Sequence, residues 1–181
     1  KTHTGNPKEF IFEKNKNKFK KYLSKIIYVK VKDLPDPDPK NCWNAENFQR
    51  NAIMRGLKGK ARKGDKILVS DVDEIPNKKA IVKNLNTPHR VIFKQSFYYY
   101  YVNCRVSRNW GGTVMDTFGN FPSPQNMRES AIRHGVGVYP DGGWHYSYLT
   151  GGDVDKIIYK TKNIVDYFSK LKIGTKKEVC R

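Results

Sequence analysis

Cysteine is scarce in this 181-residue chain and forms no recognisable motif. Cys42, Cys104 and Cys180 are odd in number, and no two of them have the C-x-x-C spacing. Such a set predicts neither a disulfide framework nor a zinc site. Long apolar runs are lacking too, since no stretch approaches the roughly 20 residues that a membrane-spanning helix needs. No secretory signal opens the chain, and the sequence leaves its compartment unknown.

Acidic residues are also in short supply. Lysine and arginine number 35 against 17 aspartates and glutamates, so the formal net charge is +18. A strong positive field favours anionic partners such as nucleic acid, an anionic membrane surface or a phosphorylated small molecule. Lysine greatly outnumbers arginine and is the weaker residue for bidentate phosphate recognition. The same charge therefore also suits lysines scattered over solvated faces.

Strand and helix patterns alternate along the first half of the chain. Runs rich in β-branched residues predict strands over 26–33, 67–70 and 90–104. Apolar residues at helical spacing predict helices over 44–58 and 153–171. This alternation predicts a single α/β domain with a mostly parallel central sheet flanked by helices. No internal repeat, low-complexity linker or domain boundary divides the chain.

Negative charge is nevertheless concentrated at one point, directly after the strand 67–70. The sequence there is ILVSDVDEIP, so Asp71, Asp73 and Glu74 follow the strand. Side chains along a strand point alternately to its two faces, so the two aspartates lie on the same side. There they repel each other unless a cation or a proton lies between them. Mg²⁺ and Mn²⁺ take oxygen ligands and are often held by one or two carboxylates plus substrate phosphates. The pattern thus suits a metal–diphosphate site, or alternatively a cap, through Asp73 or Glu74, for the helix that follows.

In an open α/β sheet, ligands bind beyond the carboxyl ends of the strands. We therefore expect the strand 67–70 to be central and buried. We also expect Asp71 and Asp73 to open into the principal cleft.

We call residues 71–74 the acidic turn. The residues around this turn resemble a known enzyme pattern. Arg50-Asn51, Gly64-Asp65 and the D-x-D stand in the order found in the nucleotide-sugar half of GT-A glycosyltransferases. From residue 2 to about residue 160, the chain resembles glycosyltransferase family 17 in five segments: THTGNPK, SDVDEIP, FYYYYVNC, WGGTVM and GGWHYSYL. DVDEIP together with GWH is a fairly specific pair, whereas a D-x-D alone is not.

This resemblance implies a GT-A fold and a metal-dependent, inverting glycosyltransferase. The enzyme would move a sugar, N-acetylglucosamine or another hexose or pentose, from a UDP-sugar to a hydroxyl of a glycan or glycoprotein. The best-known members add a bisecting β1,4-linked N-acetylglucosamine to the core mannose of N-glycans. In family members a first strand and helix precede THTG. Here KTHTG opens the chain, so we expect residues 1–181 to form one GT-A-like domain that lacks those first elements.

The resemblance also implies roles for the metal ligands. Asp73 would coordinate Mn²⁺ or Mg²⁺, and Asp71 would reach the metal or the ribose of the donor. His145, in GGWHYSY, matches the late histidine that many GT-A enzymes direct at the metal or the phosphates. A neutral imidazole is a suitable third ligand. Without the resemblance, His145 is most simply read as a core or strand-pairing histidine.

Two further segments are implied in donor binding. Arg50 and Asn51 would contact the nucleotide, although they also suit a solvated helix face. Trp110, Gly111 and Gly112 look like a small loop under the donor sugar, because glycine allows close backbone approach and an indole can cover a sugar face. The alternative is an ordinary turn beside a core tryptophan.

An inverting transfer needs a general base near the acceptor hydroxyl. The candidates are Asp141, before Gly142-Gly143, and Glu129, at the start of a predicted short helix. Asp141 also suits a tight turn, and Glu129 also suits a helix N-terminus. We prefer Asp141 slightly, because it is four residues from His145.

Two alternative functions remain open. The chain could be a basic nucleic-acid-binding module, with lysines on phosphates and tyrosines stacked on bases, although no recognised DNA or RNA motif appears and we expect no nucleic-acid partner. It could also be a non-catalytic relative that only binds glycans. Retention of both Asp71 and Asp73 argues against the second alternative.

Overall fold

The computed structural model describes residues 7–36, 41, 43–130 and 137–163, without the side chains of 107–109 and 161–163. The helices are α1 (Ile11–Asn15), a 3-10 helix (Lys16–Lys25), α2 (Asn44–Asn51), α3 (Ile53–Leu57), α4 (Lys78–Asn84), α5 (Pro124–Ser130) and α6 (Val154–Asn163). The strands are β1 (Lys66–Val69), β2 (Glu74–Pro76), β3 (Val91–Tyr99), β4 (Arg105–Thr117) and β5 (Gly137–Ser147). No helix within the described ranges is long and apolar enough to cross a membrane.

The five strands form one mixed sheet in the order β1-β4-β3-β5-β2. Only β3 and β5 run parallel, and the other three pairs are antiparallel. The α/β class is confirmed, but the prediction of a mostly parallel sheet is wrong. Residues 100–104 alone connect β3 to β4, and a parallel pair needs a crossover of about a dozen residues or more. The two strands therefore fold back on each other as a hairpin.

Strand β1 lies at an edge of the sheet, so the expectation that it is central is wrong. It pairs with β4 along Val114–Thr117. The run 26–33 has the β-branched composition of a strand but forms none. It therefore does not cover the outer edge of β1. The carboxyl end of β1 nonetheless leads into the acidic turn, whose position depends on the register of β1 with β4 rather than on a central place in the sheet.

Several predicted elements are shorter than the sequence suggested. The strand predicted over 90–104 ends at Tyr99, and the helix predicted over 44–58 is divided into α2 and α3 at Ala52. The last helix begins at Val154, but residues 164–171 of its predicted range lie outside the described residues. Composition predicted that these elements exist better than it predicted where they end. Local hydrogen bonding determines the residue at which each element ends.

Apolar side chains cover both faces of the sheet, because alternate strand residues point to opposite sides. On one face Val69, Ile92 and Val114 pack with Phe121 and with Met127 of α5. On the other face, Val91, Phe93 and Met115 pack with Ala80 of α4. Full burial of a side chain such as that of Met127 contributes about 1.5–3 kcal/mol. This packing holds α5 against the sheet beside the carboxyl end of β1.

A partly exposed arginine holds the other side of α5. The Arg90 Nε donates to Asp116 Oδ2 over 2.8 Å. Its terminal nitrogens donate to Ser130 Oγ at 3.1 Å and to Asn126 Oδ1 at 3.2 Å. We call Arg90, Asp116, Asn126 and Ser130 the anchor cluster. It fixes α5 on the sheet and so fixes the residues that α5 presents elsewhere.

Candidate functional site

A pocket of about 660 Å³ collects most of the predicted site residues. Its polar and aromatic lining comes from α2, the acidic turn, β4, α5, β5 and α6, and includes Glu46, Arg50, Asp71, Asp73, Trp110, Gly111, Gln125, Arg128, Glu129, His145 and Lys160. A second cavity, of about 620 Å³, lies between residues 8–34 and helices α2 and α3. It contains none of the predicted residues, so the first pocket is the candidate site.

The acidic turn is closed by its own hydrogen bonds. The Glu74 N–H donates to the Asp71 carbonyl at 3.0 Å, and the Asp71 N–H donates to Glu74 Oε2 at 3.0 Å. Ser70 Oγ donates to the Glu74 carbonyl at 3.2 Å. Val72 is fully exposed at the tip, while Asp71 and Asp73 on either side of it line the pocket. The expectation that both aspartates open into a cleft is therefore met.

Asp71 lies between two arginines. Its Oδ2 is 3.1 Å from an Arg128 terminal nitrogen, and its Oδ1 is 3.5 Å from an Arg50 terminal nitrogen. Its side chain is 42% exposed. Both oxygens of Asp71 thus face guanidinium groups. The protein itself therefore compensates the negative charge of Asp71.

Asp73 faces His145 and Lys160 instead of arginines. Its Oδ1 is 3.5 Å from His145 Nε2, and its Oδ2 is 4.0 Å from Lys160 Nζ. The pairing of β2 with β5 sets Glu74 opposite His145, and the Tyr146 N–H donates to the Asp73 carbonyl at 2.9 Å. Burial raises the pKa of Asp73, but the hydrogen bond and charge of His145 and the charge of Lys160 outweigh it, so the pKa lies below its usual value. Asp73 is therefore an anion under ordinary conditions.

Asp73 Oδ1 and His145 Nε2 lie 3.5 Å apart, so a carboxylate oxygen and an imidazole nitrogen are close enough to be offered to one divalent ion. The described residues contain no group of three or more histidine, cysteine, aspartate or glutamate side chains arranged around a metal. Two protein ligands nevertheless match the mode in which substrate phosphates and water complete the coordination. His145 Nδ1 is buried and has no hydrogen-bond partner among the described residues.

Glu74 is the most buried carboxylate of the site, with its side chain 0% exposed. Trp110 Nε1 donates to its Oε1 at 2.7 Å. Arg128, whose side chain is 10% exposed, donates to both oxygens, at 2.8 and 3.1 Å. We call Glu74, Arg128, Asp71 and Trp110 the site cluster. A buried carboxylate is stable only when paired and hydrogen-bonded, and these donors meet that need.

Trp110 presents an indole to the pocket and is 38% exposed. Its ring stacks on Phe97 with centroids 5.4 Å apart, and Phe97 stacks on His145 at 4.6 Å. The predicted loop at Trp110-Gly111-Gly112 is instead part of strand β4, because Trp110 and Gly111 pair with β3. Gly111 lines the pocket.

Gly112 has a different position from its neighbours. It is buried, and its carbonyl accepts a 2.5 Å hydrogen bond from Arg128. A Cβ at this position would come within 2.0 Å of Gln95 Oε1, so glycine is needed for packing. Gly112 is not among the lining residues of the pocket.

The two candidate bases are separated by the structure. Glu129 lines the pocket, and its Oε1 accepts a hydrogen bond from Gln125 Nε2 at 3.4 Å. Asp141 is exposed and is not among the lining residues. It has φ of 53°, and its carbonyl accepts from Asn77 Nδ2. The preference for Asp141 rested on its being four residues from His145. The pairing of β5 with β3 is irregular near Asp141, so this short separation along the chain does not bring Asp141 into the pocket.

Of the predicted pair Arg50 and Asn51, only Arg50 lines the pocket. Arg50 lines the pocket and donates to Gln125 Oε1 at 2.5 Å as well as facing Asp71. Asn51 is exposed and does not line the pocket. Its Oδ1 accepts from the Gln125 N–H at 3.0 Å, at the start of α5. Asn51 therefore helps to seat that helix.

Sequence reasoning missed three charged residues of the pocket: Arg128, Glu46 and Lys160. A signal for Arg128 was present, because the chain has only nine arginines among its 35 basic residues. Arginine is preferred over lysine for bidentate carboxylate pairs. Arg128 makes such a pair with Glu74, and Arg50 and Arg90 each contact one carboxylate oxygen. Nothing in the sequence distinguishes Lys160 from the other lysines.

Comparison with known proteins identifies the family of this chain. The model of glycosyltransferase family 17 matches residues 1–171. No match was found among curated proteins or among solved structures. The family match covers nearly the whole chain, including the acidic turn, β4, α5 and His145. The chain therefore belongs to glycosyltransferase family 17 and is a transferase.

Proposed function

We propose that this pocket transfers a sugar from a UDP-sugar to a glycan hydroxyl, with inversion and with Mn²⁺ or Mg²⁺ as cofactor. The sugar is N-acetylglucosamine or another hexose or pentose. One observation carries the proposal: a single pocket holds the D-x-D, a histidine, a tryptophan and a separate carboxylate. These are the groups that a nucleotide-sugar transfer needs, and family membership supports the glycosyl transfer itself.

Asp73 and His145 would hold the metal. When bound there, it would neutralise the leaving diphosphate as the sugar–phosphate bond breaks. Asp71 is the weaker candidate ligand, since both of its oxygens already face arginines. A role toward the donor ribose fits it better, because a carboxylate held in place can accept a hydrogen bond from a hydroxyl. We therefore infer a metal site on one side of the acidic turn and a ribose contact on the other.

The donor would meet the cationic and aromatic sides of the pocket. Arg50 and Lys160 lie on either side of the two aspartates, where each would contact a diphosphate oxygen. Trp110 would cover a face of the sugar. Arg50 and Lys160 thus bring positive charge to the side of the pocket where the diphosphate would lie.

Glu129 would be the general base. It lies in the pocket on α5, where an acceptor hydroxyl could reach it. It would take the proton of that hydroxyl as the oxygen attacks the anomeric carbon, and the UDP would leave from the opposite side. Glu46 is the other pocket glutamate outside the acidic turn, and it is the alternative base.

Metal-dependent binding of UDP tests the proposal. Calorimetry should show that UDP binds more tightly with Mn²⁺ than with a chelator, and that Asp73→Ala removes most of this difference because an oxygen ligand and a negative charge are lost. Asp33→Ala is the matched control, since Asp33 is also an ion-paired aspartate, held by Arg55 away from the pocket. Equal affinity with metal and chelator would reject the metal site.

Two outcomes would favour the other functions. Binding of single-stranded or duplex nucleic acid at physiological salt, with a steep salt dependence, would favour a nucleic-acid module. Glycan binding without any turnover of UDP-sugars would favour a non-catalytic relative.

A further inference from the structure

Glu74 has no role in the proposed chemistry, although the hydrogen bonds of the site cluster converge on it. Both of its oxygens accept hydrogen bonds, from the Asp71 N–H, Trp110 and Arg128 among others. Its side chain has no exposed surface. An acceptor hydroxyl cannot reach a carboxylate that is fully buried and whose oxygens both accept hydrogen bonds. Glu74 is therefore not a candidate base.

The contacts of Glu74 join three separately folded elements. Glu74 begins β2, Trp110 belongs to β4, and Arg128 belongs to α5. Arg128 continues the network to the Gly112 carbonyl and to Asp71 Oδ2. Glu74 therefore fixes Trp110 directly and Asp71 through both its backbone and Arg128.

Trp110 is oriented by a hydrogen bond at its edge and by ring contacts with Phe97 and His145. Glu74 holds the edge of the indole through Nε1, and Phe97 stacks on one ring face. A hydrogen bond to a charged acceptor is stronger than one to a neutral acceptor. The exposed part of the ring then lies in the pocket in one orientation, and an ordered ring binds a ligand without the cost of immobilising it.

We propose that Glu74 is a positioning residue for the donor sugar and that it acts through Trp110. This inference rests on the proposed function, because it takes the ligand of Trp110 to be the sugar of a nucleotide sugar. It predicts that loss of the Glu74 charge weakens recognition of the sugar and leaves recognition of the UDP part nearly unchanged.

The first test needs no ligand. In Glu74→Gln the single amide oxygen cannot satisfy all the donors that surround the carboxylate, so the Trp110 Nε1–H bond weakens. The indole N–H signal of Trp110 in ¹⁵N-correlated spectra, assigned with Trp110→Phe, should shift and should exchange faster with water. Asp116→Asn is the matched control, because Asp116 is a buried, arginine-paired carboxylate outside the pocket. An unmoved signal in Glu74→Gln would overturn the proposal.

The second test measures the contribution of the sugar to binding. Affinities for UDP and for UDP-N-acetylglucosamine are compared in the wild type, Glu74→Gln, Trp110→Phe and the double variant. Glu74→Gln should lower the UDP-sugar affinity about tenfold relative to UDP. The double variant should lose no more than Trp110→Phe alone, since residues that act through one contact are not additive.

The outcomes separate the two proposals. Wild-type protein that binds no UDP would overturn the proposed function and the donor-sugar role together. Wild-type protein that binds UDP-N-acetylglucosamine, with the sugar contribution unchanged in Glu74→Gln or lost additively in the double variant, would overturn the role of Glu74 alone. If Glu74→Gln does not fold, Trp110→Phe still tests the proposal, because Glu74 can act through Trp110 only if this variant by itself reduces the sugar contribution. An unchanged sugar contribution in Trp110→Phe would overturn the proposal.

Discussion

The site cluster and the anchor cluster use the same chemistry on opposite sides of α5. Each pairs a partly exposed arginine with a buried carboxylate, Arg128 with Glu74 and Arg90 with Asp116. They differ in where their contacts end. The anchor cluster ends within the protein, and Asp116 is only 5% exposed. The site cluster ends at Asp71 and Trp110, which open into the pocket. Similar ion pairs therefore serve stability in one place and orientation of pocket groups in the other.

The largest expected effect falls on Glu129, the neighbour of Arg128 on α5. Glu129→Gln should slow sugar transfer by roughly 10² to 10⁴, because the amide cannot accept the acceptor proton. UDP and Mn²⁺ binding should be almost unchanged. Initial rates with saturating donor, together with calorimetry, measure both quantities.

Asp141→Asn is the control for Glu129→Gln. Asparagine tolerates the positive φ of this position, and the carbonyl that accepts from Asn77 remains. Transfer should continue at nearly the wild-type rate. If Asp141→Asn loses activity and Glu129→Gln does not, the base is Asp141 after all. If neither does, Glu46 becomes the candidate.

An intermediate effect distinguishes the two clusters directly. Arg90→Met leaves Asp116 buried without its ion pair, so the free energy of unfolding should fall by about 3 kcal/mol. Transfer per folded molecule should change little. Arg128→Met leaves Glu74 in the same condition, and it should lower both stability and transfer per folded molecule, because Asp71 and Trp110 lose their support.

Urea unfolding gives the stabilities, and activity normalised to the folded fraction gives the second quantity. Equal loss of normalised activity in the two variants would mean that both clusters merely hold α5. The distinction drawn between them would then fail.

The smallest expected effect concerns Asp73, whose cations are more distant than those of either cluster. Its pKa is depressed in the folded protein. Its contribution to stability is therefore complete above its unfolded pKa of about 3.9 and is lost as pH falls through the lower folded value. In chelator, the wild type should lose more of its melting temperature between pH 5 and pH 3 than Asp73→Asn, by about 1 to 3 °C. The same acid loss in both proteins would contradict the depressed pKa.

The residues that short sequence segments singled out lie together in the structure where the signal is local. The acidic turn follows directly from its strand, and the predicted aspartates, Trp110 and His145 all line one pocket. Predictions that needed partners from distant segments did less well. The parallel sheet, the central place of β1 and the expected place of Asp141 beside the pocket each depended on pairings that the sequence does not display.

The sequence by itself determined the α/β class, the family and the place where carboxylates gather. Those properties follow from residue type and spacing along the chain. Only the tertiary structure decided that Arg128 joins Glu74, 54 residues away, that Asp71 faces arginines while Asp73 faces His145, and that Glu129 rather than Asp141 enters the pocket. The physical reason is that a buried charge takes its partner from whichever element the sheet register and core packing bring within about 3 Å, and this choice leaves no periodic pattern in the sequence.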